Sequence, residues 1–309
     1  MQCLDTRVAL YSQPSYENHS FETTIGQLLV SEFSGNRCRS ASVLLKPNLI
    51  TATNGQLACT NGHIILAVAR YFKDLGANVA VGDSPAFGTA RSVLRKIGVL
   101  PELERLGVRV TEFRQYLPLE LPSGQRACIA RPALECDTLI NLPKVKAHSQ
   151  MRVTLAVKNY FGCISGLHKP WWHMVHGGEQ GRFADLLVEL LSVLPQGFSL
   201  VDGMEAMHIT GPIHGQPYAL GLLAGGINPV AVDTGLLAIL GVEPSLCPLW
   251  VAAREAGLPG TDPEQLLFTH DHPVALAAEK FLVPEALTPV RFNPFRFVKS
   301  SVQRMLTVL

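Results

Sequence analysis

The chain predicts an α/β fold, a mostly parallel sheet flanked by helices in one or two lobes, and three observations carry that reading. Short aliphatic or β-branched runs alternate with longer segments of helical periodicity, which is the pattern of strand–helix–strand units. The 309 residues are 47% hydrophobic and only 17% charged, so the interior is large and little of the chain fits a disordered composition. Polar residues follow directly on several of the apolar runs, as expected where strands end at a ligand crevice.

Taken in order, Val43–Leu45 reads as a strand, and Gly62–Leu75 as a helix with Ile65, Leu66, Ala69 and Phe72 on one face and Gly76 as its stop. Asn78–Val81 and Val108–Phe113 read as strands, and the Pro- and Gly-containing stretch Leu117–Gly124 as a hairpin or linker. Thr138–Asn141 is the next strand, Phe183–Leu194 a helix stopped by Pro195, and Phe198–Val201 another strand. Tyr218–Ala253 is strongly apolar, but Gly225, Gly226, Asn228, Pro229, Asp233, Glu243 and Pro244 interrupt it, so it reads as a buried strand followed by a buried helix and not as a membrane span. Within Pro294–Leu309, Phe295, Val298, Val302, Met305 and Leu309 recur at helical spacing, with Arg296, Lys299 and Arg304 elsewhere on the wheel. The organisation expected is one α/β domain over 1–285, with 117–124 as the place for a lobe boundary, and an amphipathic tail over 286–309. That tail would dock on its own domain, on a protein partner or on a membrane surface.

Lys and Arg number 26 against 25 Asp and Glu, leaving a formal charge of +1 and no global field for nucleic acid. Recognition must therefore be local. The seven cysteines are scattered, with no Cys-x-x-Cys pair, which fits buried thiols in a reducing compartment. Met1–Leu10 carries Asp5 and Arg7 and lacks the apolar run of a secretory signal, so cytoplasmic residence is the expectation.

Four strand ends deliver chemistry: Lys46-Pro47-Asn48, Gly82-Asp83-Ser84-Pro85, Asn141 to His148, and Asp202-Gly203. Lys144 and Lys146 lie two apart and project to one side of an extended segment, with His148 in line, which makes an anion cradle to which Lys158 and Asn159 can add. A lysine there can also serve as a base or form a Schiff base. Asp83 and Asp202 follow apolar strands and demand a partner, for which a cation is one candidate; the oxygen ligands of a hard divalent metal need such placement. Asp233 is read as a helix cap. Six of the ten histidines fall between positions 148 and 214; His173 and His176, three apart, would share a helical face as two metal ligands can. Neither a dinucleotide-binding glycine pattern nor a nucleophile elbow is present in the sequence.

Asn141-Leu142-Pro143-Lys144-Val145-Lys146-Ala147-His148, then Ala156-Val157-Lys158-Asn159-Tyr160-Phe161-Gly162, resembles the domain of unknown function 362 family. Lys46-Pro47-Asn48, Gly82-Asp83-Ser84-Pro85, Val201-Asp202-Gly203, Gly211-Pro212 with Gly215, and Asn228 to Asp233 extend the resemblance over Val43–Gly241. It implies site roles for Lys46, Asn48, Asp83, Lys144, Lys146, His148, Lys158, Asn159, Asp202 and Asp233. Many members carry a ferredoxin-like iron–sulfur module; this chain lacks the clustered cysteines for one, and it has Asn228 where the family's last block commonly has Asp.

The sequence therefore points to an enzyme that binds a small phosphate- or carboxylate-bearing molecule. Lys46, Asn48, Lys144, Lys158 and Asn159 would hold the substrate, and His148 and Lys146 would do the chemistry. Asp83, Asp202, His173 and His176 are candidates for a divalent metal, with no other cofactor indicated. Two alternatives stand beside it: a redox accessory protein serving an iron–sulfur partner, or using Cys128, Cys136 and Cys163, and a non-catalytic scaffold.

Overall fold

A computed structural model describes residues 5–17, 20–34, 38–51, 55–164, 169, 172, 176 and 182–288. The alternation of short apolar runs and helices produces a ten-stranded mixed sheet. Its parallel part comprises β2 (Ser42–Pro47), β3 (Asn78–Asp83), β4 (Arg109–Glu112), β7 (Thr138–Leu142) and β10 (Phe198–His208), in the spatial order β10-β7-β2-β3-β4. The remaining order, β12-β1-β11-β10, brings in β1 (Arg7–Ser12), β11 (Gln216–Gly226) and β12 (Leu267–His270), with β11 antiparallel to both neighbours and β12 parallel to β1. β5 (Tyr116–Glu120) and β6 (Arg126–Ala130) form a separate hairpin, so the turn-rich stretch 117–124 is a strand and its turn.

Alternation along the strands sends side chains to two faces, and helices cover both. Val43, Leu45, Val79 and Val81 pack under α1 (Phe21–Val30), α3 (Gly62–Asp74), α4 (Ala90–Lys96) and α5 (Leu100–Arg105), whereas Leu44, Ala80 and Leu139 belong to the opposite core. That second core takes in α8 (Phe183–Val193) and α10 (Pro248–Glu255), while α9 (Pro229–Leu240) covers β1 and β11. The four-residue helix α2 (Gly55–Ala58) and the five-residue α6 (Arg131–Glu135) fill connections.

Two departures from the sequence reading matter for the site. The strand expected at Phe198–Val201 runs on to His208, because Gln216–Gly226 returns beside it as a long antiparallel partner. His208 is accordingly a strand residue, its ring against Tyr218 and Phe281. The apolar strand ending at Leu142 does not stop either. Pro143 divides it, and β8 (Lys144–His148) continues in parallel with β10 alone, then turns into the short antiparallel β9 (Arg152–Thr154). The backbone N–H of Asp202 donates to Pro143 O at 2.8 Å, locking this junction.

The segment 284–288 is tied to the β8–β9 turn. The buried Arg152 guanidinium donates to the carbonyls of Leu246 and Pro284 at 2.8 and 2.7 Å, and Thr288 N–H to Ser149 O at 2.8 Å. Residues 294–309, expected to form the amphipathic helix, lie outside the described residues. No helix among the described residues is long and apolar enough to cross a membrane.

Candidate functional site at the strand ends

β2 ends at Pro47 while β8 runs on beside β10, and the polar groups that follow the parallel strands meet there. Lys46, Asn48, Asp83, Lys144, Lys146 and Asp202, from positions after apolar runs, join one buried neighbourhood with Asn159 of the following helix. Lys46, Lys144, Lys146 and Asp202 are each 0% exposed, so every charge needs a partner or a shifted pKa.

Two lysines have carboxylates. Lys46 Nζ lies 2.9 Å from Asp83 Oδ1 and donates to Pro47 O at 3.0 Å, while Asp83 Oδ2 accepts from Leu49 N–H at 2.8 Å. Lys144 and Asp202 are opposite residues of the parallel β8–β10 pair, with Nζ 2.9 Å from Oδ2. Asp202 also accepts from Tyr16 Oη at 2.6 Å and from the backbone N–H of Asn61, the N-cap of α3, at 2.8 Å. It thus sits at the positive end of a 13-residue helix dipole. Tyr16 Oη in turn accepts from Lys144 at 3.0 Å; burial and the neighbouring Asp202 push its pKa upward, so it stays a neutral donor. An open groove of about 480 Å³, lined by Tyr16, Phe21, His63 and Arg70, borders this side.

The other two lysines have no carboxylate. Lys146 donates to Asn48 Oδ1 at 2.7 Å and to Ala58 O, the last residue of α2, at 2.8 Å. Burial brings its pKa down to about 8; Lys144 and Lys46 add repulsion, while Cys59 and Asp83 oppose the shift. Lys158, on α7 (Ala156–Asn159), makes no hydrogen bond or ion pair among the described residues. Its Nζ stands 4.4 Å from the ring centre of Phe161 and 5.4 Å from that of Phe183. Burial, then repulsion by Lys169, Lys146 and Lys46, lowers its pKa to about 7.

Amides knit the two groups together. Asn159 Oδ1 accepts from Asn48 Nδ2 at 3.0 Å, and Asn159 Nδ2 donates to Asn141 Oδ1 at 2.8 Å and Lys46 O at 3.2 Å. Thr60 Oγ1 holds Asn48 by accepting its backbone N–H at 2.8 Å. Gly162 backs this network so closely that a Cβ there would collide with Asp83 Oδ1 and Lys46 Nζ. The sequence assigns no site role to Tyr16, Thr60, Asn61 or Lys169, and it places Asn141 at a strand end without giving it one. Asn61 had a signal in its place just before a helix, and Asn141 in its place at a strand end; Tyr16 had none.

The geometry adds particulars for three sets of these residues. Asp233 does not cap its own helix: Asn228 does, accepting from Val230 and Ala231 N–H at 2.9 and 3.3 Å. Asp233 lies one turn further on and accepts instead from Ala156 and Val157 N–H at 2.7 and 3.2 Å, fixing the start of the helix that carries Lys158 and Asn159. Burial, opposed by those two bonds, raises its pKa to about 8. His148 Nδ1 accepts from the backbone N–H groups of Gln150 and Met151, so it shapes the β8–β9 turn. The proposed metal ligands are dispersed: Asp83 and Asp202 face separate lysines, His173 lies outside the described residues, and His176 packs on Trp172. Among the described residues no group of three or more His, Cys, Asp or Glu is placed to hold a metal. Two of the three cysteines considered for a redox role are held as thiols, since burial pushes Cys136 up to about 11 and Cys163 up to about 12.

Comparison with known proteins places these residues in context. Residues 43–238 match the family model described as "Domain of unknown function (DUF362)". A thylakoid-associated protein of Synechocystis sp. is 36% identical over 299 residues, covering 95% of this chain and 92% of that protein. Among solved structures, the lactate racemase apoprotein from Thermoanaerobacterium thermosaccharolyticum is similar, with a TM-score of 0.46 and 14% identity over 75% of this chain and 57% of its own. A Thermotoga maritima protein gives a TM-score of 0.43 and 11% identity over 67% of this chain and 56% of its own.

Proposed function

This chain belongs to the DUF362 family, and from that premise we propose that its strand-end crevice is an enzyme site for a small molecule bearing a phosphate or carboxylate. The observation that carries the reading is Lys158: an amine 8% exposed, lacking any acceptor among the described residues and surrounded by further lysines. An anion placed there would relieve repulsion among Lys158, Lys146 and Lys169 and supply the acceptor that Lys158 lacks. Asn48 and Asn159 would orient it. Lys46 and Lys144, already paired, would act as fixed positive background.

The proton-transferring role falls to Lys158 or Lys146, whose lowered pKa values lie near neutrality, in place of His148. Inorganic phosphate and a small carboxylate such as lactate, titrated against the full chain with thermal unfolding as readout, should raise Tm, and Lys158→Met should abolish the shift. Unchanged melting of the wild type, or an equal shift in the variant, would refute the reading. Lys144→Met is a poor probe, since it strands Asp202.

A second reading concerns location. The thylakoid association of the relative, together with the basic–apolar pattern of Pro294–Leu309, supports peripheral contact with a membrane surface in a reducing compartment. Sedimentation with vesicles containing anionic lipid, before and after truncation at Pro294, checks it; pelleting that survives truncation counts against the tail.

A further inference from the structure

Lys158 is suited to more than attracting an anion. A residue whose sole task is to attract an anion gains from permanent charge and from carboxylates or carbonyls that aim its ammonium, as Lys46 and Lys144 have. Lys158 has the opposite surroundings. Phe161 and Phe183 flank its Nζ at 4.4 and 5.4 Å, and Lys169 approaches the same Phe161 ring at 5.8 Å while donating to Ser84 O. Asp83, the carboxylate of this part of the network, is engaged by Lys46 and Leu49 N–H. Meanwhile Asp233 and Asn159 hold the helix that presents the amine. Rigid presentation holds the amine in place, and burial with the neighbouring cations favours its uncharged form, lone pair available, over the attraction that the two aromatic faces exert on an ammonium.

We propose that Lys158 is a nucleophilic lysine that condenses with the carbonyl group of a small anionic aldehyde or ketone, the anionic group being taken up by Lys146 and Lys169. The assignment rests on the anion-binding reading and narrows its substrate class to oxo compounds carrying a carboxylate or phosphate. The Nζ lone pair forms the C–N bond while the carbonyl oxygen gains a proton, giving a carbinolamine. The C–O bond then breaks, the hydroxyl leaves as water with the second nitrogen proton, and the nitrogen lone pair closes the C=N bond. One amine and one carbonyl become one imine and one water, with no oxidant or reductant.

The full chain is incubated with glyoxylate, reduced with borohydride, digested and mapped by mass spectrometry across pH 5–11, and its melting with inorganic phosphate is recorded on the same preparation. Labelling of Lys158 should exceed that of exposed Lys96 and Lys280 by about tenfold at pH 7, reach half its maximum near neutrality, and fall in the presence of phosphate. It should disappear in Lys158→Arg. Adducts confined to Lys96, Lys280 and other surface amines would overturn the proposal. If phosphate raises Tm while Lys158 stays unlabelled, the nucleophile assignment fails alone; if phosphate leaves Tm unchanged and Lys158 stays unlabelled, the anion-binding reading fails with it. Because the pH profile is read on the wild type, the result does not depend on how the variant folds.

Discussion

On the strands, Lys46 and Lys144 each face a carboxylate from a paired strand, whereas on α7 Lys158 faces two phenylalanine rings and other lysines. The difference lies in how the partners are supplied. Parallel register places Asp202 directly opposite Lys144, so sheet geometry provides the counter-charge without extra chain. A one-turn helix has no such register, and its lysine depends on whatever the neighbouring loops bring. One buried cluster therefore holds two neutralised charges and a third amine that has no carboxylate partner among the described residues.

The largest effect that would break this contrast is expected from Asp202→Ala. Removing one partner of a buried pair leaves Lys144 uncompensated and frees Asn61 N–H and Tyr16 Oη, at a cost of about 3–5 kcal/mol. Urea denaturation measures it; a loss below about 1 kcal/mol would show that the pair is dispensable. Adding Lys144→Met to Asp202→Ala should recover part of the loss.

Lys158→Met should act in the opposite direction, stabilising by about 1 kcal/mol or more at pH 6. Its folded pKa of about 7 lies below the ordinary lysine value of 10.5, so the unfolded chain binds more protons between these limits. The stability penalty is complete below pH 7 and is lifted as pH rises towards 10.5. The variant's advantage should therefore be greatest at pH 6 and fade by pH 10, and a variant less stable than wild type at pH 6 would contradict the account.

Asp233→Asn should give the smallest change, on the order of 1 kcal/mol, with the pH dependence reversed. The folded pKa of Asp233, about 8, exceeds its ordinary 3.8, so the native state holds the extra proton between those values and stability falls as pH rises through them. Asparagine can still accept from Ala156 or Val157. The variant should match wild type near pH 4 and exceed it at pH 9 in chemical denaturation; parallel curves at both pH values would remove the carboxyl from the argument.

Much of the site was legible because strand ends in an α/β sheet share one edge. Lys46, Asn48, Asp83, Lys144, Lys146 and Asp202 could be gathered without knowing which strands are neighbours. Their pairing could not. Whether Asp202 meets Lys144, Lys46 or a metal depends on β8 leaving β7's path to lie along β10, and on the loop before α3 lending Asn61. Asp233 illustrates the same limit. Its local setting suggests a cap, and it is one, but for the helix at Ala156; only the packing of α9 on α7 reveals that. Asn228 keeps the N-cap because its side-chain oxygen accepts backbone N–H bonds as a carboxylate would. Tyr16, from the first connection of the chain, was beyond any local pattern.

Gly162 links these charges to the tolerance of the gene to change. Its backbone lies where any larger residue would separate Lys46 from Asp83, so side-chain volume at position 162 and charge neutrality at the ends of β2 and β3 form a single heritable trait. In a saturation library glycine should be retained there even on backgrounds that survive changes at Lys158, and rescue of an alanine should arise through paired replacements at 46 and 83.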